Sequence, residues 1–311
     1  MTTTLRTDRQ AVARPPGSGP MREQFAATTT DLLDQDLSVA LVLADISAAM
    51  FPDAVTRHPE RVINVGIREQ LAVNVGAGLA LSGMRPIVHT IASFLVERSF
   101  EQIKLGFSHQ DVGGVLVSVG ASYDISQGGR THQSPGDVAL IDTLPDWDIH
   151  VPGHPAELDT LLREAVGGSG RVYIRASVRS NRQAYPTGGF HVVRRGGQGT
   201  VIAVGPMLDN VLAAVGDLDL TVLYAATVRP FDADTLVRTL GTADVVVVEP
   251  YAVGTSAAAV SDALSHVPHR LKSIGVPRAE LRRYGTPSQH ETEHGLDPAG
   301  LRRTIGDFLT A

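Results

Sequence analysis

Apolar and polar positions fall in blocks along this chain. Ser38 to Ala44 is a continuous apolar run that ends at Asp45, the length and pattern of a strand buried on both faces. Arg61–Val65, Arg85–Thr90, Gly114–Val119, Asp148–Val151 and Val172–Arg175 read as further strands. Met21–Leu33, Leu71–Gly83, Ser99–Gln110, Asp137–Thr143 and Glu157–Val166 carry helical spacing between them. Strands alternating with helices predict a parallel, doubly wound α/β sheet. One long Gly/Ser/Gln loop, Gly120–Pro135, interrupts the alternation.

Residues 181–199 are rich in Gly, Arg and polar side chains and predict a linker. The alternation then restarts. Thr200–Gly205, Leu220–Tyr224 and Asp244–Val248 read as strands, and Leu208–Val215, Ala233–Leu240, Thr255–Leu264 and Leu301–Leu309 as helices. The expectation is two doubly wound α/β domains, over 21–180 and 200–311. Residues 1–20 hold Arg, Thr, Pro and Gly without an apolar core. They predict a disordered tail rather than a secretory signal.

At 311 residues the chain can hold two domains of ordinary size. A net charge of −6 gives no basis for nucleic acid or an anionic membrane as partner. Cysteine is absent, which excludes disulfides and thiolate metal sites. No apolar stretch is long enough to span a bilayer, so a cytoplasmic protein is expected.

The chemistry begins at Val65-Gly66-Ile67-Arg68-Glu69-Gln70, where a strand hands over to a Gly/Ala-rich helix. A carboxylate there faces an apolar interior and is costly to ionise without a polar partner. Glu69 is either a capped structural acid or a proton-handling group. His132 sits in the glycine-rich loop, where the backbone can approach a ligand and an imidazole can titrate near neutral pH.

Several segments, in order, resemble the transketolase group of thiamine diphosphate enzymes. Arg61–Gly83 (RVINVGIREQLAVNVGAGLALSG) is similar to its pyrimidine-binding domain. SFEQIK at 99–104, GGRTHQ at 128–133, the stretch 141–152 and Tyr173-Ile174-Arg175 follow. Arg229-Pro230-Phe231, Val248-Glu249-Pro250 and Gly254-Thr255 are similar to its C-terminal domain, expected here to be structural and to serve dimer contacts.

The resemblance implies roles. Glu69 would hydrogen-bond N1′ of the cofactor's aminopyrimidine, in apolar surroundings that let it share a proton. The cofactor carries the hard chemistry and the protein tunes it. Phe94 would stack on the pyrimidine, with Ile91, a helical turn earlier, lining the same pocket. Asp45, in Ala44-Asp45-Ile46-Ser47, would brace the active-site loops. His132 would contact the substrate's reacting oxygen. Arg22 matches a phosphate-binding arginine, and Arg130, Arg175 and Arg179 are further anion candidates. Gln70 and Arg98 fit structural roles.

Three polar family positions are lost. Gly128 replaces an Asp that recognises a sugar hydroxyl, Gly120 stands where a substrate-binding His is common, and Ala49 stands near a phosphate-contacting Ser. The expectation is a donor or acceptor other than ordinary pentose phosphates. Arg68 replaces an Ala and is expected to face another partner, such as a second subunit. The Gly-Asp-Gly motif that binds Mg²⁺ and diphosphate is absent. A second transketolase subunit is therefore expected to supply that half, in an α2β2 assembly. His290, Glu291, Glu293 and His294 are read as solvated charge rather than metal ligands. Alternatives on the same scaffold are a 2-oxo acid dehydrogenase β-subunit and a deoxyxylulose phosphate synthase. An alternative of another class is a non-catalytic regulatory subunit.

Overall fold

A computed structural model describes residues 19–311. The tail expected over 1–20 lies, up to residue 18, outside the described residues. The first unit runs α1 (Met21–Gln35), β1 (Val39–Leu43), α2 (Pro52–Arg57), β2 (Val62–Asn64), α3 (Glu69–Leu81), β3 (Arg85–Ile91), α4 (Phe100–Ile103), β4 (Gly114–Val119), α5 (Asp137–Ile141), β5 (Trp147–His150), α6 (Pro155–Gly167) and β6 (Arg171–Arg175). Its strands lie in the order β5-β6-β4-β3-β1-β2, all parallel.

Strand β1 shows why its sequence is wholly apolar. Val39, Leu41 and Leu43 join the cluster formed with Phe25 of α1 and Leu158 and Leu162 of α6. Val42 points the other way, into the cluster with Ala72 and Val73 of α3. Both faces are covered, so no polar face remains. Helix α3 seats closely because Gly76 lacks a side chain; a Cβ there would lie 2.4 Å from Val88 Cγ2.

The second unit runs β7 (Phe190–Arg194), β8 (Thr200–Val204), α7 (Leu208–Val215), β9 (Thr221–Ala225), β10 (Thr227–Arg229), α8 (Ala233–Thr239), β11 (Asp244–Ala252), α9 (Ala257–Ala263), β12 (Arg270–Val276), α10 (Pro287–Glu293) and α11 (Pro298–Thr310). Its sheet order is β12-β11-β8-β9-β7.

Three features differ from the sequence reading. The segment expected as a linker contains β7, which pairs antiparallel with β9. Strand β10 leaves its own unit and pairs antiparallel with β5 of the first sheet, so both sheets are mixed. The helix expected over 99–110 is present over 100–108, but only α4 is α-helical; a π-helical turn, Lys104–Ser108, continues it, and another, Ser93–Glu97, precedes it. Such wide turns inside helices recur at functional sites. No helix among the described residues is long and apolar enough to cross a membrane.

Candidate active site

A cleft of about 410 Å³ opens at the carboxyl ends of β1 and β3, where open α/β sheets take their ligands. Ile46, Ala48, Ala49, Met50, Ile67, Ile91 and Phe94 make most of its wall apolar. Glu69, His132, Arg22 and Asp45 are its titratable lining residues. Arg22, Asp45, Ala49, Glu69, Ile91, Phe94 and His132, all singled out from the sequence, thus meet in one place. Ile91 reaches it as the last residue of β3 rather than from a helical turn.

Glu69 opens α3 and is 2% exposed. An acid in the first helical turn faces the positive end of the helix dipole. Arg98 Nη1 donates to Glu69 Oε2 at 2.7 Å. The same guanidinium lies 4.1 Å over the Phe94 ring. Arg68, the immediate neighbour, instead donates to the Val65 carbonyl and is exposed. Arg68, expected to face another partner, makes no ion pair with Glu69; the cation on Glu69 is Arg98, for which the sequence predicts a structural role. Twenty-nine positions separate the pair, and no local spacing rule connects them.

His132 sits edge-on to Phe94, with ring centroids 5.1 Å apart, and its Nδ1 lies 2.9 Å from Thr131 Oγ1. Its ring fills the space a side chain at Gly128 would need: a Cβ there would lie 2.7 Å from His132 Cγ. Gly128 therefore makes room for the imidazole. The next residue, Gly129, has φ +70°, a left-handed conformation suited to glycine. The second unit holds this loop. Ser126 Oγ donates to the Gly285 carbonyl at 2.7 Å, and Gln133 Nε2 to the Arg283 carbonyl at 2.9 Å. The second unit thus does more than the structural and dimer role expected of it.

Arg22 is held by a buried relay that the sequence reading missed. His89 is fully buried, and burial pushes its pKa down to about 3, so the ring is neutral. Its Nδ1 must donate to the Val117 carbonyl, 2.8 Å away, which leaves Nε2 as an acceptor. Ser47 Oγ, 2.8 Å from Nε2, donates to it and accepts from Arg22 Nε at 2.9 Å. Asp45, with φ +69°, takes the Asn64 side-chain oxygen on its backbone N–H at 3.0 Å, tying the loop after β1 to the end of β2.

The other anion candidates are engaged elsewhere. Arg175 is 1% exposed and ion-paired with the fully buried Asp137 at 2.7 Å. Arg179 pairs with Glu291 of the second unit at 2.6 Å. Arg130 Nε donates to Glu280 Oε1 at 3.1 Å. Arg175 is buried, whereas Arg130 and Arg179 are partly exposed and face the second unit; among the described residues Arg22 is the arginine that lines this cleft. His290 and Glu291, expected as solvated, are 2% and 3% exposed. Burial pushes the Glu291 carboxyl up to about 7. Among the described residues no group of three or more His, Asp or Glu could hold a metal ion.

Comparison with known proteins gives this geometry a family. The transketolase pyrimidine-binding domain matches residues 19–185, and the transketolase C-terminal domain matches 188–301. An uncharacterized 33.6 kDa protein in the fasciation locus of Rhodococcoides fascians is 53% identical over 92% of this chain and 93% of its own length. The 1-deoxy-D-xylulose-5-phosphate synthase of Thermus thermophilus is 30% identical over 80% of this chain, which spans 42% of that enzyme. One subunit of the apulose-4-phosphate transketolase of Phocaeicola vulgatus is 28% identical over 93% of this chain and 97% of its own length. A solved structure described as a split gene transketolase, an inactive β4 tetramer, superposes with a TM-score of 0.81 at 26% identity, covering 94% of this chain and 99% of that one. Two successive domain matches and these full-length likenesses establish that the chain belongs to the transketolase family, as its pyrimidine-binding domain followed by its C-terminal domain.

Proposed function

We propose that this chain is one subunit of a thiamine diphosphate-dependent enzyme that transfers a two-carbon ketol unit, with an active site completed by a second transketolase subunit. The observation that carries the reading is Glu69: a buried carboxyl lining an apolar cleft beside an aromatic ring. That donor set fits an aminopyrimidine, which needs a flat apolar seat and one carboxyl at a ring nitrogen. The described residues offer no cluster for Mg²⁺, so we assign the metal and the diphosphate to the partner chain, in an α2β2 assembly. The full-length likeness to a single transketolase subunit and to a split-gene chain supports that division. A cytoplasmic location goes with this reading.

The cofactor, once bound, supplies the electron sink for carbon–carbon bond cleavage and formation. The chain's own residues do the rest. Glu69 holds the pyrimidine edge and shares its proton there. Phe94 and Ile91 exclude water from the ring. His132, against Phe94, moves a proton at the substrate's reacting oxygen. Arg22, fixed by Ser47 and His89, meets an anionic group of the substrate. With Gly128, Gly120 and Ala49 in place of polar groups, the preferred donor is one other than xylulose 5-phosphate.

A second reading, deoxyxylulose phosphate synthase-like chemistry, is favoured by the 30% identity to such an enzyme. One experiment separates them. The chain is purified with its partner and supplied with thiamine diphosphate, Mg²⁺, an aldehyde acceptor of the aldose class and, as donor, either a ketol from a panel or pyruvate. We expect turnover from a ketol donor, none from the chain alone, and a loss of about 10²-fold or more in Glu69→Gln. Turnover with pyruvate as donor to the same acceptor, and none with a ketol, would install the second reading. Unchanged turnover in Glu69→Gln would make this a non-catalytic subunit.

A further inference from the structure

The fold treats the two carboxyl oxygens of Glu69 differently. Oε2 accepts a 2.7 Å hydrogen bond from Arg98. Among the described residues none hydrogen-bonds Oε1, although the residue lines the cleft. The two side chains also differ in exposure: Arg98 is 41% exposed and Glu69 3%. Arg98 thus reaches inward from the rim to a carboxyl that, among the described residues, it alone holds by side-chain hydrogen bond.

Arg98 is itself fixed from three sides. Its guanidinium lies over Phe94 at 4.1 Å. Its N–H donates to the Ser93 carbonyl at 3.1 Å, closing the π-helical turn over Ser93–Glu97. Its carbonyl accepts from Gln70 Nε2 at 3.4 Å, which returns the contact to α3. One guanidinium therefore joins the start of α3 to the turn that carries the aromatic ring. Arg68 is not a substitute, because it donates to the Val65 carbonyl.

We propose that Arg98 is a positioning residue for Glu69: it holds Oε2, leaves Oε1 as the one oxygen offered to the cleft, and locks Phe94 and the carboxyl into a single unit. The proposal rests on the reading of Glu69 as the partner of the cofactor's pyrimidine. The terminal torsion of a glutamate is broad and roughly two-fold. An unheld carboxyl would present either oxygen over a range of angles. A charged, planar donor stacked on the ring removes that freedom. Lysine keeps the charge but has neither the planar fork nor the stacking face. Glutamine keeps one planar donor without the charge.

The test uses the assembled complex with thiamine diphosphate and Mg²⁺. Two readouts are taken besides turnover: cofactor affinity by calorimetry, and the exchange rate of the cofactor's C2 proton in deuterated buffer. Arg98→Gln should slow exchange by about 10–100-fold, the scale of an ångström-sized misplacement, with affinity held within about threefold. Arg98→Lys should lie between Gln and wild type. On a Glu69→Gln background, Arg98→Gln should slow exchange no further, because its effect passes through the lost carboxyl. Wild-type exchange in Arg98→Gln, or an equal slowing on the Glu69→Gln background, overturns the proposal. If Arg98→Gln does not fold, Arg98→Lys decides alone, and a wild-type exchange rate there overturns it. Wild-type exchange in Glu69→Gln is a different outcome: it removes the cofactor reading itself.

Discussion

Gly128→Ala isolates the role of His132 without touching it. The backbone at Gly128 is outside the left-handed region, so alanine adopts it without strain. By restricting the unfolded chain, alanine there should even gain about 0.4–1 kcal/mol. The cost lies in the new methyl group. It would stand 2.7 Å from His132 Cγ, 2.8 Å from Nδ1 and 3.1 Å from Cβ. These are the root atoms of the ring, so rotating its tip relieves nothing and the whole imidazole must leave. It gives up the edge contact with Phe94, worth about 0.5–1.5 kcal/mol. It also gives up the bond to Thr131, worth about 0.5–1 kcal/mol on this half-exposed loop. Gains and losses leave roughly 0–2 kcal/mol of destabilisation, a small change in melting temperature. Activity should respond differently. A positioned proton-transfer group contributes about 10²–10⁴-fold, and Gly128→Ala should forfeit most of what His132→Ala forfeits. The assay is kcat/KM of the assembled complex beside a thermal melt of each variant. The double variant should be no worse than His132→Ala. If Gly128→Ala keeps wild-type kcat/KM while His132→Ala loses it, the packing argument is refuted.

Two further predictions concern groups outside the cleft. Arg175→Met should destabilise the free chain by about 3–5 kcal/mol in chemical denaturation, because it strands the buried Asp137, and Arg175→Met/Asp137→Asn should recover much of that; an unchanged midpoint in the single variant would restore Arg175 as a substrate ligand. Asp124 is buried, and burial pushes its carboxyl up to about 6 from 3.8; a raised acid binds its proton more tightly when folded, so its contribution is lost as pH rises from about 4 through 6. Asp124→Asn should therefore melt above wild type at pH 8, by on the order of 1–3 kcal/mol, and lose that advantage below pH 4; an advantage that grows on acidification would refute the assignment.

The sequence was most legible where burial was two-sided. Ser38–Ala44 and Asp244–Val248 read as strands because helices cover both faces, and β1 and β11 are there. Strands at the edges were missed. The inner residues of β7 are only partly buried, and β12 alternates exposed and half-buried positions before its last three residues are buried. Such strands lack the apolar run that marks a central one. Strand β10 could not be placed at all, since its partner β5 lies in the other unit and nothing in three residues encodes that choice. The helix expected over 99–110 is there over 100–108, but its second half is a π-helical turn, Lys104–Ser108, whose wider period the pattern does not anticipate.

The same division runs through the site. Glu69, Phe94 and His132 were legible from ordered motifs, and all three line one cleft. What orients them was not, because each orienting contact spans a long stretch of chain. Arg98 reaches Glu69 across 29 positions, His89 reaches Ser47 across 42, and Gly285 and Arg283 receive Ser126 and Gln133 across 159 and 150. The last pair matters most for the chemistry. A loop with Gly128-Gly129 at its turn has little intrinsic preference for one shape. Its two side-chain bonds to the segment at 283–285, with Arg130 on Glu280, supply order that the loop's own sequence lacks. The second unit therefore acts on the cleft without supplying any of its lining residues: the segment at 280–285 holds Ser126, Arg130 and Gln133, and through them the loop that carries His132.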